Sequence, residues 1–121
     1  MTEHQIHSDI LKYLRRILPH GWIVMHVPNG GSRHPIEGAR LKALGVVAGW
    51  PDISIYGGGH NSGGLAYFME VKSKAGRVSR CQRIIMDKLQ DAGFPVAVVR
   101  SIDDARDFVE RHSLPSREVR S

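Results

Sequence analysis

A chain of 121 residues, 41% of them hydrophobic, is sized for one globular domain with one core, and a second domain is not expected. Its apolar runs fall short of the ~20 residues that cross a bilayer, and its one cysteine, Cys81, excludes an internal disulfide and a multi-cysteine zinc centre. A net charge of +5 and a pI of about 9.8 favour a polyanionic partner, because clustered cations release counterions on neutralising phosphates; the bland alternative is a solubilising surface. Arginine outnumbers lysine, and its planar fork suits bidentate phosphate contact. The amino terminus is polar and acid-bearing, so a soluble, cytoplasmic protein without a membrane partner is expected.

Ile6, Ile10, Leu14 and Ile17 recur at spacings of three or four, which predicts an amphipathic helix over 3 to 17, stopped by Pro19 and Gly21. His4 and His7 lie three apart on it, but no further cluster of ligand spacing accompanies them, and they read as surface residues. Trp22 to Val27 is a short β-prone run, followed by an irregular basic connection. In PDISIY, Ile53 and Ile55 alternate against Asp52 and Ser54, which predicts a second strand. Trp22 and Trp50, beside strands, are expected in the core rather than stacked on bases.

LAYFMEVK is the third strand, with Glu70 and Lys72 on the face of Ala66 and Phe68, and Tyr67, Met69 and Val71 on the other. The glycine-rich stretch YGGGHNSGG joins two strands rather than a strand and a helix, so it reads as a hairpin turn at 57 to 64 and not as a phosphate loop. Ser79 and Gln82 form a capping-box pattern that opens a helix through about Ala92, closed by Gly93 and Pro95. VAVVR at 96 to 100 is a buried-looking strand, and Ser101 with Asp104 caps a last helix through about Arg111. The expectation is an α/β fold in the order helix, three strands, helix, strand, helix, with a single domain over 1–112 and a frayed basic tail over 113–121.

An antiparallel hairpin brings Asp52 beside Glu70, with Lys72 one pleat beyond. Two adjacent carboxylates raise each other's pKa, which a core avoids unless a cation compensates. Phosphodiester hydrolysis calls for such a group, because charge must be neutralised at the attacking water, the phosphate and the leaving oxygen, and a divalent metal supplies most of this. Magnesium takes oxygen ligands and typically one or two protein carboxylates. Asp52 and Glu70 fit that role, the Val71 carbonyl can complete the set, and Lys72 can orient the water or steady the charge on phosphorus.

Pro51-Asp52 followed by Glu70-Val71-Lys72 resembles the PD-(D/E)xK nuclease superfamily. More specifically, Gly49-Trp50-Pro51-Asp52, then FMEVKSKAGRVSRCQ, then DAGFPVAVVRS resembles the VRR-NUC (virus-type replication-repair nuclease) family over nearly the whole chain. The family's GVPD has valine where Trp50 stands. The resemblance implies a restriction-endonuclease-like core with a central mixed sheet, and a DNA endonuclease that uses Mg2+ or Mn2+. It adds Glu3, near the start of the first helix, as a catalytic and metal-binding residue, and Gln82, after the glutamate-x-lysine strand, as a catalytic one. Their plainer readings are a first-turn acid favoured by the helix dipole and the capping partner of Ser79. Residues 29 to 33 resemble the family's basic glycine-rich loop, and Arg33, Arg40, Lys42, Lys74 and Arg77 are expected nucleic-acid contacts. Members made of this domain alone are expected to form homodimers and to cut branched DNA such as four-way junctions or flaps. A noncatalytic nucleic-acid-binding module and an RNA-directed nuclease are the alternatives, and the host process, repair or phage replication among others, stays open.

Overall fold

Thr2 fixes where the first helix begins. In the computed structural model, which describes residues 1–28, 35–59 and 63–117, its hydroxyl accepts the Gln5 N–H at 3.2 Å while Gln5 Oε1 accepts the Thr2 N–H at 2.8 Å. This reciprocal cap opens α1 (Glu3–Ile17), whose apolar stripe buries Ile6, Ile10, Tyr13, Leu14 and Ile17. The other elements are β1 (Ile23–His26), α2 (Pro35–Ala43), β2 (Ile53–Gly59), β3 (Gly63–Val71), α3 (Arg80–Asp91), β4 (Val96–Val99) and α4 (Ile102–Arg111).

The strands lie in the order β1-β2-β3-β4. The first two pairings are antiparallel and β3 runs parallel to β4, so the sheet is mixed, as expected. Ile53 faces Met69 and Ile55 faces Tyr67 across the hairpin. With Val24, Val71 and Val99 these side chains form one face, packed against α1 and against Ala105, Phe108 and Val109 of α4. Burying such a set supplies most of the folding free energy, at roughly 25 cal/mol per Å² of apolar surface. On the opposite face Phe68 meets Trp50, Tyr56 and Phe94 edge-on, with ring centroids 5.6, 6.3 and 5.7 Å away.

Three departures from expectation have physical causes. The connection before β2 contains α2, a helix that starts on a proline and carries no apolar stripe to betray it. The glycines read as a turn are largely ladder: Gly57, Gly58 and Gly59 pair with Leu65, Gly64 and Gly63. Gly57 is needed there because the Trp22 ring lies where a Cβ would project, and that ring stacks on Tyr67 at 6.1 Å. Finally, the packed chain runs past 112. It turns at Ser113, in the left-handed region with φ 56°, and buries Leu114 in the core. Arg117 then donates its N–H to the Ile17 carbonyl at 2.6 Å and its guanidinium to the Arg15 and Arg16 carbonyls at 3.2 and 2.7 Å. These contacts satisfy the open end of α1.

The two sheet edges differ. Arg15 donates from Nε and Nη2 to the Val24 carbonyl at 3.3 and 2.8 Å, occupying one acceptor of β1. Among the described residues, β4 pairs with β3 alone.

Candidate active site

Asp52 lies one residue before β2, Glu70 is the penultimate residue of β3, and Lys72 follows its end. The register that matches Ile53 with Met69 therefore sets Asp52 beside Glu70. Asp52 Oδ2 accepts the Val71 N–H at 2.8 Å, which fixes the carboxylate against the strand. Glu70 is only 1% exposed. Its Oε2 accepts a hydrogen bond from Gln82 Nε2 at 3.0 Å and lies 3.6 Å from the Lys72 ammonium. Its Oε1 is buried and without a partner among the described residues. Burial first, then the neighbouring Asp52 carboxylate, push Glu70 up to about 8, with the Lys72 charge opposing. A buried carboxylate left with one empty acceptor beside a second carboxylate is a costly arrangement unless a cation completes it. Asp52 and Glu70 are thus the side chains that could hold a hard divalent ion, and two protein carboxylates suffice for magnesium.

The approach of α3 depends on Gly49. With φ +86°, a Cβ there would come within 2.6 Å of the Cys81 carbonyl carbon and oxygen and 2.8 Å of the Gln82 nitrogen, so only glycine lets the segment before Asp52 cross the first turn of α3. Gln82 has both readings at once. Its Oε1 accepts the Ser79 N–H at 2.9 Å, its own N–H goes to Ser79 Oγ at 3.1 Å, and its Nε2 remains for Glu70.

Glu3 is placed differently. It is exposed in the first turn of α1 and lines, with His4, His7, Ser8, Leu11, His26 and Asp52, a cavity of about 460 Å³. Among the described residues no group of three His, Cys, Asp or Glu side chains is set to hold a metal, so Glu3 is not gathered with Asp52 and Glu70 in this arrangement. The expectation that His4 and His7 are plain surface residues holds for the exposed His4 and needs correcting for His7. His7 is half-buried, meets His26 at 4.7 Å between ring centroids, and is held below the usual imidazole range by burial and by His26, against the pull of Asp52.

Arg40 and Lys42 occupy the last turn of α2, and Lys74 and Arg77 are exposed in the segment after Lys72. Arg33 lies outside the described residues. Sequence reasoning missed Arg100, for which no sequence signal exists. Its Nη1 donates to the carbonyls of Ser73, Gly76 and Lys74 at 2.6, 2.7 and 3.3 Å, tying down the segment that leaves the site. The Lys72 N–H is held by the Val99 carbonyl at 3.0 Å. A second cavity of about 460 Å³ runs along β4 and contains none of the carboxylate–lysine group.

A four-stranded mixed sheet flanked by helices, with two carboxylates and a lysine where its central hairpin opens, defines a nuclease-type α/β domain with a restriction-endonuclease-like core. The VRR-NUC domain model matches residues 6–103, and the chain belongs to that family. A solved structure described as a VRR_NUC domain protein is similar with a TM-score of 0.69 and 22% identity, over 95% of this chain and 91% of that one. At that identity the likeness is one of fold. No curated protein matches the chain. Among the described residues, no helix is long and apolar enough to cross a membrane.

Proposed function

We propose that this domain is a Mg2+- or Mn2+-dependent endonuclease that hydrolyses the backbone of branched DNA, such as four-way junctions and flaps, and acts as a homodimer. The observation that carries the reading is the buried Glu70, with its orphaned Oε1, beside Asp52 and 3.6 Å from the Lys72 ammonium. A binding module has no need of such a group. Asp52, Glu70 and the Val71 carbonyl would hold the ion, which when bound neutralises the phosphate and generates the nucleophile from water.

The chain's own residues do the rest. The Val71 N–H orients Asp52, and Gln82 with Lys72 orients Glu70. Lys72, anchored through its own N–H to Val99, presents a fixed positive charge where negative charge builds on the phosphate. Arg33, Arg40, Lys42, Lys74 and Arg77 contribute backbone contacts that position DNA without reading sequence. The family resemblance favours paired chains and branched substrates, since two sites facing two strands suit symmetric incision.

The test is cleavage of labelled four-way junction, flap, duplex and single-stranded DNA, with matched RNA, in manganese, magnesium or chelator. Metal-dependent cutting of branched DNA is expected, and Lys72→Ala should lower its rate by at least about a hundredfold while the melting curve is retained. Tight binding without cutting under every metal would assign a binding module. Preferential cutting of RNA would assign the RNA-directed activity, since the 2′-hydroxyl is what separates the two polymers.

A further inference from the structure

The cavity beside Asp52 shares only that residue with the carboxylate–lysine group. Its wall is built by consecutive turns of α1, through His4, His7 and Ser8, and by His26 from β1. The rings of His7 and His26 meet edge to face, at 84° and 4.7 Å, so two imidazoles from different elements are held against each other next to a catalytic carboxylate. Among the described residues no lysine or arginine lines the cavity. Because Asp52 is common to both, a DNA backbone whose scissile phosphate sits at the carboxylate centre has this cavity immediately alongside.

We propose that His7 and His26, assisted by His4 and Ser8, form a subsite for the DNA phosphate adjacent to the scissile one. The inference rests on the nuclease reading. Imidazole N–H and hydroxyl groups are donors suited to phosphate oxygens. These donors also suit this place better than a guanidinium fork, which would pair bidentately with Asp52 or Glu3 and withdraw a carboxylate from the centre. Among the described residues the cavity's side chains gather no group of three His, Cys, Asp or Glu ligands. Glu3 and Asp52 repel a lone anion, so the phosphate enters together with the divalent ion that offsets them.

The test uses the whole protein, isotope-labelled, with calcium in place of the catalytic ion and a thymidine tetranucleotide as probe. A tetranucleotide with uncharged methylphosphonate linkages serves as its partner. The ring-nitrogen signals of His7 and His26 are expected to shift saturably with the charged probe and hardly with the uncharged one. His7→Gln and His26→Gln should each weaken binding about fivefold, the loss of one ordinary hydrogen bond. Equal shifts with both probes would show that the cavity takes sugar or base and would overturn the subsite. Rings that stay silent up to millimolar probe overturn it as well, whether or not the amides of Asp52, Val71 and Lys72 respond. Cleavage of branched DNA by the same preparation then tells whether the nuclease reading stands without it.

Discussion

Burial and Asp52 hold Glu70 at about 8 in the metal-free protein, against 4.5 for the free side chain, so folding takes up a proton at neutral pH. Below 4.5 both states are protonated and the group has no effect on stability. Between the two values the native state binds a proton that the unfolded chain does not, and stability falls as pH rises; above about 8 the whole cost is present. Thermal melts in chelator should therefore show a melting temperature that declines from about pH 5 to about pH 8, a slope that Glu70→Gln abolishes. His7 works in the opposite sense, since its lowered value costs stability as pH falls below 6.5. The comparison with Glu70→Gln isolates the carboxyl from it. A wild-type slope unchanged in the variant would remove Glu70 as the source.

The start of α3 joins helix capping to the site, and two substitutions separate these tasks. Gly49→Ala sets a methyl group against the Cys81 and Gln82 backbone and forces a left-handed alanine, so a loss of roughly 3 kcal/mol on chemical denaturation is expected. Gln82→Ala removes the capping partner and the Glu70 contact together, at about 1–2 kcal/mol. Gln82→Glu should recover the capping share while leaving activity impaired, because a third acid faces Glu70; full activity in that variant would reduce Gln82 to a cap. Most elements could be read in the sequence, since α1, α3 and α4 carry regular apolar stripes and Ile53, Ile55, Met69 and Val71 alternate. The pairing of Asp52 with Glu70 followed from strand register alone. What escaped depended on distant neighbours. α2 has no stripe, the strand character of Gly57 is conferred by the Trp22 ring, and the imidazole wall exists only once α1 docks beside β1. The Arg100 contacts require the exact course of a loop that nothing local dictates.

Across the whole molecule, the segment after α4 acts as a clasp between the two ends of the fold. Ending the chain at 112 would strip Leu114, 5% exposed, from the core and leave the α1 carbonyls open, so a loss of about 2–5 kcal/mol is expected on melting. A truncated protein as stable as the parent would show the clasp to be decorative. The unequal sheet edges set a limit on a different scale. A sheet with two bare edges can polymerise, each added strand exposing a fresh template. Here Arg15 occupies one acceptor on the β1 side, the Val24 carbonyl, and among the described residues β4 pairs with β3 alone. Two molecules that joined edge to edge through β4 would carry one arginine-held carbonyl on each outer margin of the combined sheet. A strand added on the β1 side would first have to displace the Arg15 guanidinium from the Val24 carbonyl, which disfavours the open-ended edge-to-edge growth that leads to fibrils.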